Sequence, residues 1–287
     1  GGSTAAATAA GRAGATRVEE EEDEGWSVLP YALAGGWGDV AGHVSEVKAD
    51  PLVHVERNKD VKIVGTLEEL QECVSMIEED IRQAPDQNLP AALGIDLEYA
   101  VLDFRSKLGY VSLIQLATFE SSFVVDAVRL RPHIHQTLGR FLRDPDVIKI
   151  THGGSGDLRW LWGDFGLRVS NLFDTYQASL ALAKHDMGPT RHGLGHVVGR
   201  YFGTPLDKRL QKADWRIRPL PEAMVAYAVN DARYLPVLLM LMADDLRQRG
   251  ELGLVSRRSN AMCLLEGLKE MGSADVVYRS DHPVDIA

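Results

Sequence analysis

The chain has 287 residues, 45% hydrophobic and 25% charged, a balance that supports a packed globular core and excludes disorder throughout. Its formal net charge of -10 removes the broad basic face with which nucleic-acid-binding domains displace counterions, so such a function has to come from a local site. Two distant cysteines, Cys73 and Cys263, exclude a disulfide framework and a zinc-ligand spacing. No apolar stretch has the length of a membrane span and no secretory signal is visible, so the cytosol or the nucleus is expected.

Residues 1–25 are small and polar and end in an acidic run, which cannot bury enough apolar area to offset its ordering entropy; a flexible tail is expected. From Trp26 to about Asn58, Pro and Gly punctuation predicts an extended arm packed on a neighbouring domain. Thr66 with Glu69 forms a capping box, and Leu70, Cys73, Val74 and Ile77 recur at helical spacing, so a helix starts near Leu67. Residues 91–97 read as a buried strand, and residues 110–117 and 122–126 as a hairpin. Helix, strand and helix are then predicted over residues 132–142, 147–151 and 157–165. Beyond Asp174 the pattern is mainly helical, over residues 176–183, 194–201 and 221–249, with a short helical pattern near 261–271 before a polar ending. The alternation predicts an α/β fold.

Asp96 and Glu98 lie two apart at the end of an apolar strand, so both side chains leave one face of the sheet; a solvated strand end would look the same. Asp157 follows Gly153, Gly154 and Gly156 in a strand-to-helix turn, where an ordinary helix cap is the plain alternative. Tyr227 and Asp231, four apart, share one helix face, and an acid on that apolar stripe needs a cation to meet it. Four acids crowd together only if divalent metal neutralises them, because like charges raise one another's pKa. Oxygen-only ligation suits Mg²⁺ or Mn²⁺, and two ions about 4 Å apart can clamp the attacking and leaving oxygens of a phosphodiester, so phosphodiester hydrolysis is the predicted reaction. His152 and His192 fall in no zinc-ligand spacing, and polar packing is expected of both.

The acids resemble the Asp-Glu-Asp-Asp signature of the DEDD superfamily of ribonuclease D-like exonucleases, and Tyr227, four before Asp231, resembles the mark of its tyrosine branch. His152-Gly153, Leu172–Asp174 with Thr175, residues 191–194 and the Ala-Asp-Trp-Arg-Ile-Arg-Pro-Leu stretch at 213–220 are similar to the exosome-associated ribosomal RNA-processing exonucleases of that branch. The resemblance covers roughly residues 26–260. It implies a ribonuclease H-like DEDD exonuclease fold of α/β class, a mixed central sheet flanked by helices, with an extended N-terminal arm. The implied division is a tail (1–25), an arm with the first helix (26–88), an exonuclease domain (89–250) and a linker (251–287) toward an absent helical HRDC domain.

The same resemblance implies that Asp96, Glu98, Asp157 and Asp231 hold two divalent metal ions, Mg²⁺ or Mn²⁺, and that Tyr227 orients the attacking water. It implies release of nucleoside 5′-monophosphates from the 3′ end of single-stranded RNA. His152, Trp160 and Arg216 are the candidate substrate contacts, with core packing for Trp160 and a structural ion pair for Arg216 left open. The implied partners are RNA, the nuclear exosome core and an exosome-associated protein, with no membrane, in the nucleus including the nucleolus. A catalytically silent scaffold and a DNA-directed 3′-5′ exonuclease are the other readings. Two departures stand out: Tyr99 and Ala100 follow Glu98 where the family has His, and the segments before Gly109 and over 185–190 are longer.

Overall fold

Asp50 accepts a hydrogen bond from the Val53 amide at 3.3 Å and Pro51 presets the first helical φ, so two short helices form here, α1 (Val40–Ala49) and α2 (Pro51–Arg57). The computed structural model describes residues 40–58, 60–103, 108–185 and 191–271. The tail, the arm before residue 40, most of the two lengthened loops and the polar ending lie outside them. The described part of the arm is thus helical where its Pro and Gly content predicted extended chain, and it does pack on the body of the protein. Lys48 pairs with Asp244 and Asp245 at 2.6 and 2.9 Å. The buried Asn58 donates to the carbonyls of Thr118 and Ser121 at 3.0 and 2.9 Å.

Strand β1 (Asp60–Val64) follows, an element the sequence pattern did not predict. Helix α3 (Leu67–Gln83) starts where the capping box predicts: the Glu69 amide donates to Thr66 Oγ1 at 3.2 Å and Glu69 Oε2 accepts from the Thr66 amide at 3.0 Å. A short 3-10 turn leads into β2 (Ala92–Asp103), then the hairpin of β3 (Leu108–Ala117) and β4 (Ser121–Asp126). Next come α4 (Arg131–Arg143), β5 (Ile148–Thr151), α5 (Ser155–Phe165), β6 (Leu172–Asp174), α6 (Thr175–Ala183) and α7 (Leu194–Phe202). Helices α8 (Glu222–Arg233), α9 (Leu235–Gln248) and α10 (Leu252–Met271) complete the fold.

The six strands form one sheet in the order β1-β4-β3-β2-β5-β6. β3 runs antiparallel to β2 and β4, whereas the β1/β4, β2/β5 and β5/β6 pairs are parallel, so the sheet is mixed. Side chains alternate across a strand. Leu93, Ile95 and Leu97 therefore pack into one apolar layer with Leu70, Ile134 and Leu161 from α3, α4 and α5. Asp96 and Glu98, offset by one residue, face the opposite side, which α8 and α9 cover.

Residues 221–249, expected as one helix, are interrupted at Tyr234. Pro236 lacks an amide hydrogen and its ring crowds the carbonyl four residues back, so α8 ends and α9 restarts. The last helical pattern is longer than predicted. α10 buries Val255 and Ser259, and the part of the expected linker up to Asn260 is bonded to β6. No helix among the described residues is long and apolar enough to cross a membrane.

Candidate active site

Asp96 and Glu98 project from β2 beneath α8, which carries Asp231 and, one turn earlier, Tyr227. A carboxylate oxygen of each of Asp96, Glu98 and Asp231 lies within 4.8 Å of the other two. Asp157 stands outside that trio, in the first turn of α5, which leaves β5, the parallel neighbour of β2. Its charge nonetheless acts on both Asp96 and Glu98. The structure brings Asp96, Glu98 and Asp231 together from two segments, and a third segment carries Asp157 close enough for its charge to reach them.

Burial is the main reason these carboxyls resist ionisation, and their mutual repulsion adds to it. Glu98 is pushed up to about 9 by burial and then by the charge of Asp231. Asp96 is raised well above the carboxylate range by burial and by the charges of Asp157, Asp231 and Glu98. Asp157 is raised by burial and by Asp174. Burial raises Asp231 too, but Lys208 opposes the shift: its Nζ lies 2.5 Å from Asp231 Oδ1. A set of oxygen donors this short of positive charge fits a hard divalent cation.

Tyr227 donates its hydroxyl to Asp231, and burial raises its own pKa, so the phenol stays protonated. Its ring packs on Trp215 with centroids 5.7 Å apart. The 213–220 stretch holds that tryptophan in place. Ser112 Oγ donates to the Trp215 carbonyl at 2.9 Å, while Arg218 donates to Asp126 at 2.6 Å and to the Ser112 carbonyl at 3.1 Å, clamping the stretch to the middle of β3 and the end of β4.

Asp174 plays the corresponding part for Asp157. From the start of α6 it accepts hydrogen bonds from Thr151 Oγ1 at 2.9 Å and from the Gly154 amide at 2.8 Å, fixing the turn that precedes Asp157. Gly153 adopts φ 70° in that turn, a left-handed conformation that side chains other than glycine rarely take. A Cβ on Gly154 would stand 2.4 Å from Thr151 Oγ1.

The three expected substrate contacts sit in different surroundings. His152 Nδ1 is 2.8 Å from Thr175 Oγ1 and its ring stands edge-on to Tyr176, with burial pushing its pKa down to about 4 and keeping it neutral. Trp160 is half-buried and stacks at 5.3 Å on the exposed Tyr99. Arg216 pairs with Asp214 at 2.7 Å on the surface. Lys208 was not singled out from the sequence. Its bond to Asp231 spans 23 residues and leaves no periodic trace; the one available cue was that a buried Asp231 needs a counterion.

A family model described as 3′-5′ exonuclease matches residues 61–247. Exosome complex component 10 of Mus musculus is 40% identical over 180 residues, covering 61% of this chain and 19% of that protein. Exosome complex exonuclease RRP6 of Saccharomyces cerevisiae is 40% identical over 157 residues, covering 55% of this chain and 20% of that one. The chain thus spans about a fifth of the length of the curated relatives it matches. Among solved structures, the catalytic core of RRP6 from Trypanosoma brucei superposes with a TM-score of 0.61 at 27% identity, covering 77% of this chain and 59% of that one. With the family match running from β1 to the end of α9 and the acid cluster inside it, the chain belongs to the 3′-5′ exonuclease family.

Proposed function

We propose that this chain is the catalytic part of a metal-dependent 3′→5′ exoribonuclease that shortens single-stranded RNA from its 3′ end and releases nucleoside 5′-monophosphates. The observation that carries the reading is the convergence of Asp96, Glu98 and Asp231 within 4.8 Å, with the charge of Asp157 reaching the same point, in a chain of the 3′-5′ exonuclease family. Asp96, Glu98, Asp157 and Asp231 would hold two divalent ions, Mg²⁺ or Mn²⁺. Bound there, such ions supply Lewis-acid activation of water and neutralise charge on the leaving oxygen.

The residues of the chain do the rest. The four carboxylates bind and orient, and lose their protons in doing so. Tyr227, a protonated phenol bonded to Asp231, orients the water that attacks the terminal phosphodiester. The P–O bond to the penultimate nucleotide breaks, and its 3′ oxygen leaves with a proton. Trp160, stacked on exposed Tyr99 beside the acids, offers a face for a base, and His152 and Arg216 are further candidate contacts. The names of the relatives point to the exosome as the assembly in which this activity would work; the setting that goes with this reading is RNA processing in the nucleus, including the nucleolus.

The test is degradation of a 5′-labelled unstructured RNA by this chain and by Asp231→Asn, with Mg²⁺ or Mn²⁺ and with a matched DNA oligonucleotide. A ladder shortening from the 3′ end, lost in the variant and with chelator, supports the reading. Preference for the DNA strand moves the substrate class, and an inert but folded wild type favours a scaffold.

A further inference from the structure

Gln115 lies in the middle of β3, paired across the sheet with Asp96 on one side and with Val124 on the other. Opposed residues on neighbouring strands point to the same face, so Gln115 shares with Asp96 the face beneath α8. It is completely buried, and neither its Oε1 nor its Nε2 meets a hydrogen-bond partner among the described residues. The main-chain groups beside it are already bonded in the sheet.

A buried carboxamide with both ends unmade costs stability, and methionine or leucine would fill this position without that penalty. Val124, opposite it on β4, and Leu113, two residues before it on the same strand face, are apolar and give no reason for a polar group. Asp96 is the polar residue that the register sets directly opposite; Glu98, Ser122 and Asp126 lie only diagonally, and the last two are already bonded, to Asn58 and Arg218. An Asp96 carboxylate that coordinates a cation keeps lone pairs that need a donor, and the unpartnered Gln115 amide on the strand directly opposite is the one the register offers it.

We infer that Gln115 is a positioning residue for the metal centre, its amide donating to the Asp96 carboxylate in the cation-loaded protein and fixing that carboxylate's orientation. The inference rests on the metal-dependent reading above. It makes Gln115 a residue whose polar group is unsatisfied in the free protein and satisfied in the loaded one, a stability cost kept for function.

The experiment uses the whole 287-residue chain, its Gln115→Met and Gln115→Leu variants, and two readouts that need no substrate. With chelator, both variants are expected to melt at or above the wild-type temperature. By calorimetric titration with Mn²⁺, both are expected to bind roughly tenfold more weakly. Variants that melt lower yet bind Mn²⁺ as wild type does would overturn the inference and make Gln115 ordinary packing. A wild type that binds no Mn²⁺ removes the metal-dependent reading itself, so the two failures are distinct. A third readout covers variants that do not fold: the Gln115 side-chain amide signal of the wild type, assigned through its own side-chain bonds, should shift between chelated and Mg²⁺-saturated protein. An unmoved signal in Mg²⁺-bound protein overturns the inference.

Discussion

Lys208 Nζ stands 2.5 Å from Asp231 Oδ1 and 5.4 Å from the centre of the Tyr227 ring, so the acid cluster already holds one cation of its own. Asp231 is buried beside Asp96 and Glu98, and without the lysine it would face them uncompensated. Lys208→Met is expected to cost about 2 kcal/mol of stability in chelator and much less in saturating Mg²⁺, where the divalent ion supplies the missing charge. Urea unfolding with and without Mg²⁺ measures the difference. An equal loss under both conditions would mean that the lysine serves packing alone.

The acids also set a pH dependence. Glu98 is held up to about 9, and Asp96 and Asp157 are raised with it, so the metal-free native state keeps protons that the unfolded chain has released. Their contribution to stability is greatest below the unfolded carboxylate values and falls as pH climbs toward about 9. A divalent ion requires the ionised forms. The Mg²⁺-induced rise in melting temperature should therefore grow with pH up to about 9, and binding should release protons, counted from heats in buffers of different ionisation enthalpy. The buried Lys149, pushed down to about 7, has the opposite sign, adding stability as pH rises through that value toward its ordinary 10.5. Comparing loaded with unloaded protein at each pH cancels it.

Tyr227→Phe removes the hydroxyl that meets Asp231 and keeps the ring that meets Trp215. The expected outcome is a fall in kcat of roughly 10²-fold with KM, Mn²⁺ affinity and fold retained. Steady-state rates on RNA beside calorimetric Mn²⁺ binding read the two separately; a matching fall in affinity would make the tyrosine a support for Asp231 only.

Gly94 sits two residues before Asp96, where the break between α8 and α9 presses on β2. A Cβ there would lie 3.0 Å from Leu235 Cβ and 3.1 Å from the Ala232 carbonyl, one residue past Asp231. Gly94→Ala is expected to cost about 1–3 kcal/mol and to weaken Mn²⁺ binding by moving Asp231 away from Asp96. Gly156→Ala is the contrast, since nothing lies within 4 Å of the added methyl and helical propensity favours it by up to ~1 kcal/mol. Thermal melts of the two variants should move in opposite directions.

Where the chemistry is local, the sequence was readable. The Thr66 and Glu69 capping box, the shared face of Asp96 and Glu98, and the one-turn spacing of Tyr227 and Asp231 each follow from a periodicity. What escaped is non-local. β1 is short, leaves Val61 and Ile63 exposed, and owes its existence to a parallel partner some sixty residues away, Val61 pairing with Ser122. The apolar stripe running through 221–249 masked the interruption that Pro236 imposes. Lys208 and Gln115 carry no spacing signal at all: one is a charge in a loop, the other a glutamine in a strand, and only the folded arrangement sets them against the acids.

The bonds from α10 to β6 bear on solubility as well as on shape. β6 is the last strand of the sheet, and such a margin invites pairing with strands of other molecules. Asn260 Oδ1 accepts the Leu172 amide at 3.1 Å and Ser259 Oγ accepts the Asp174 amide at 3.0 Å, so two side chains of one helix occupy the places another strand would take. A chain cut short ahead of Ser259 would keep every acid of the cluster and lose this guard, exposing a sticky margin through which molecules could assemble end to end.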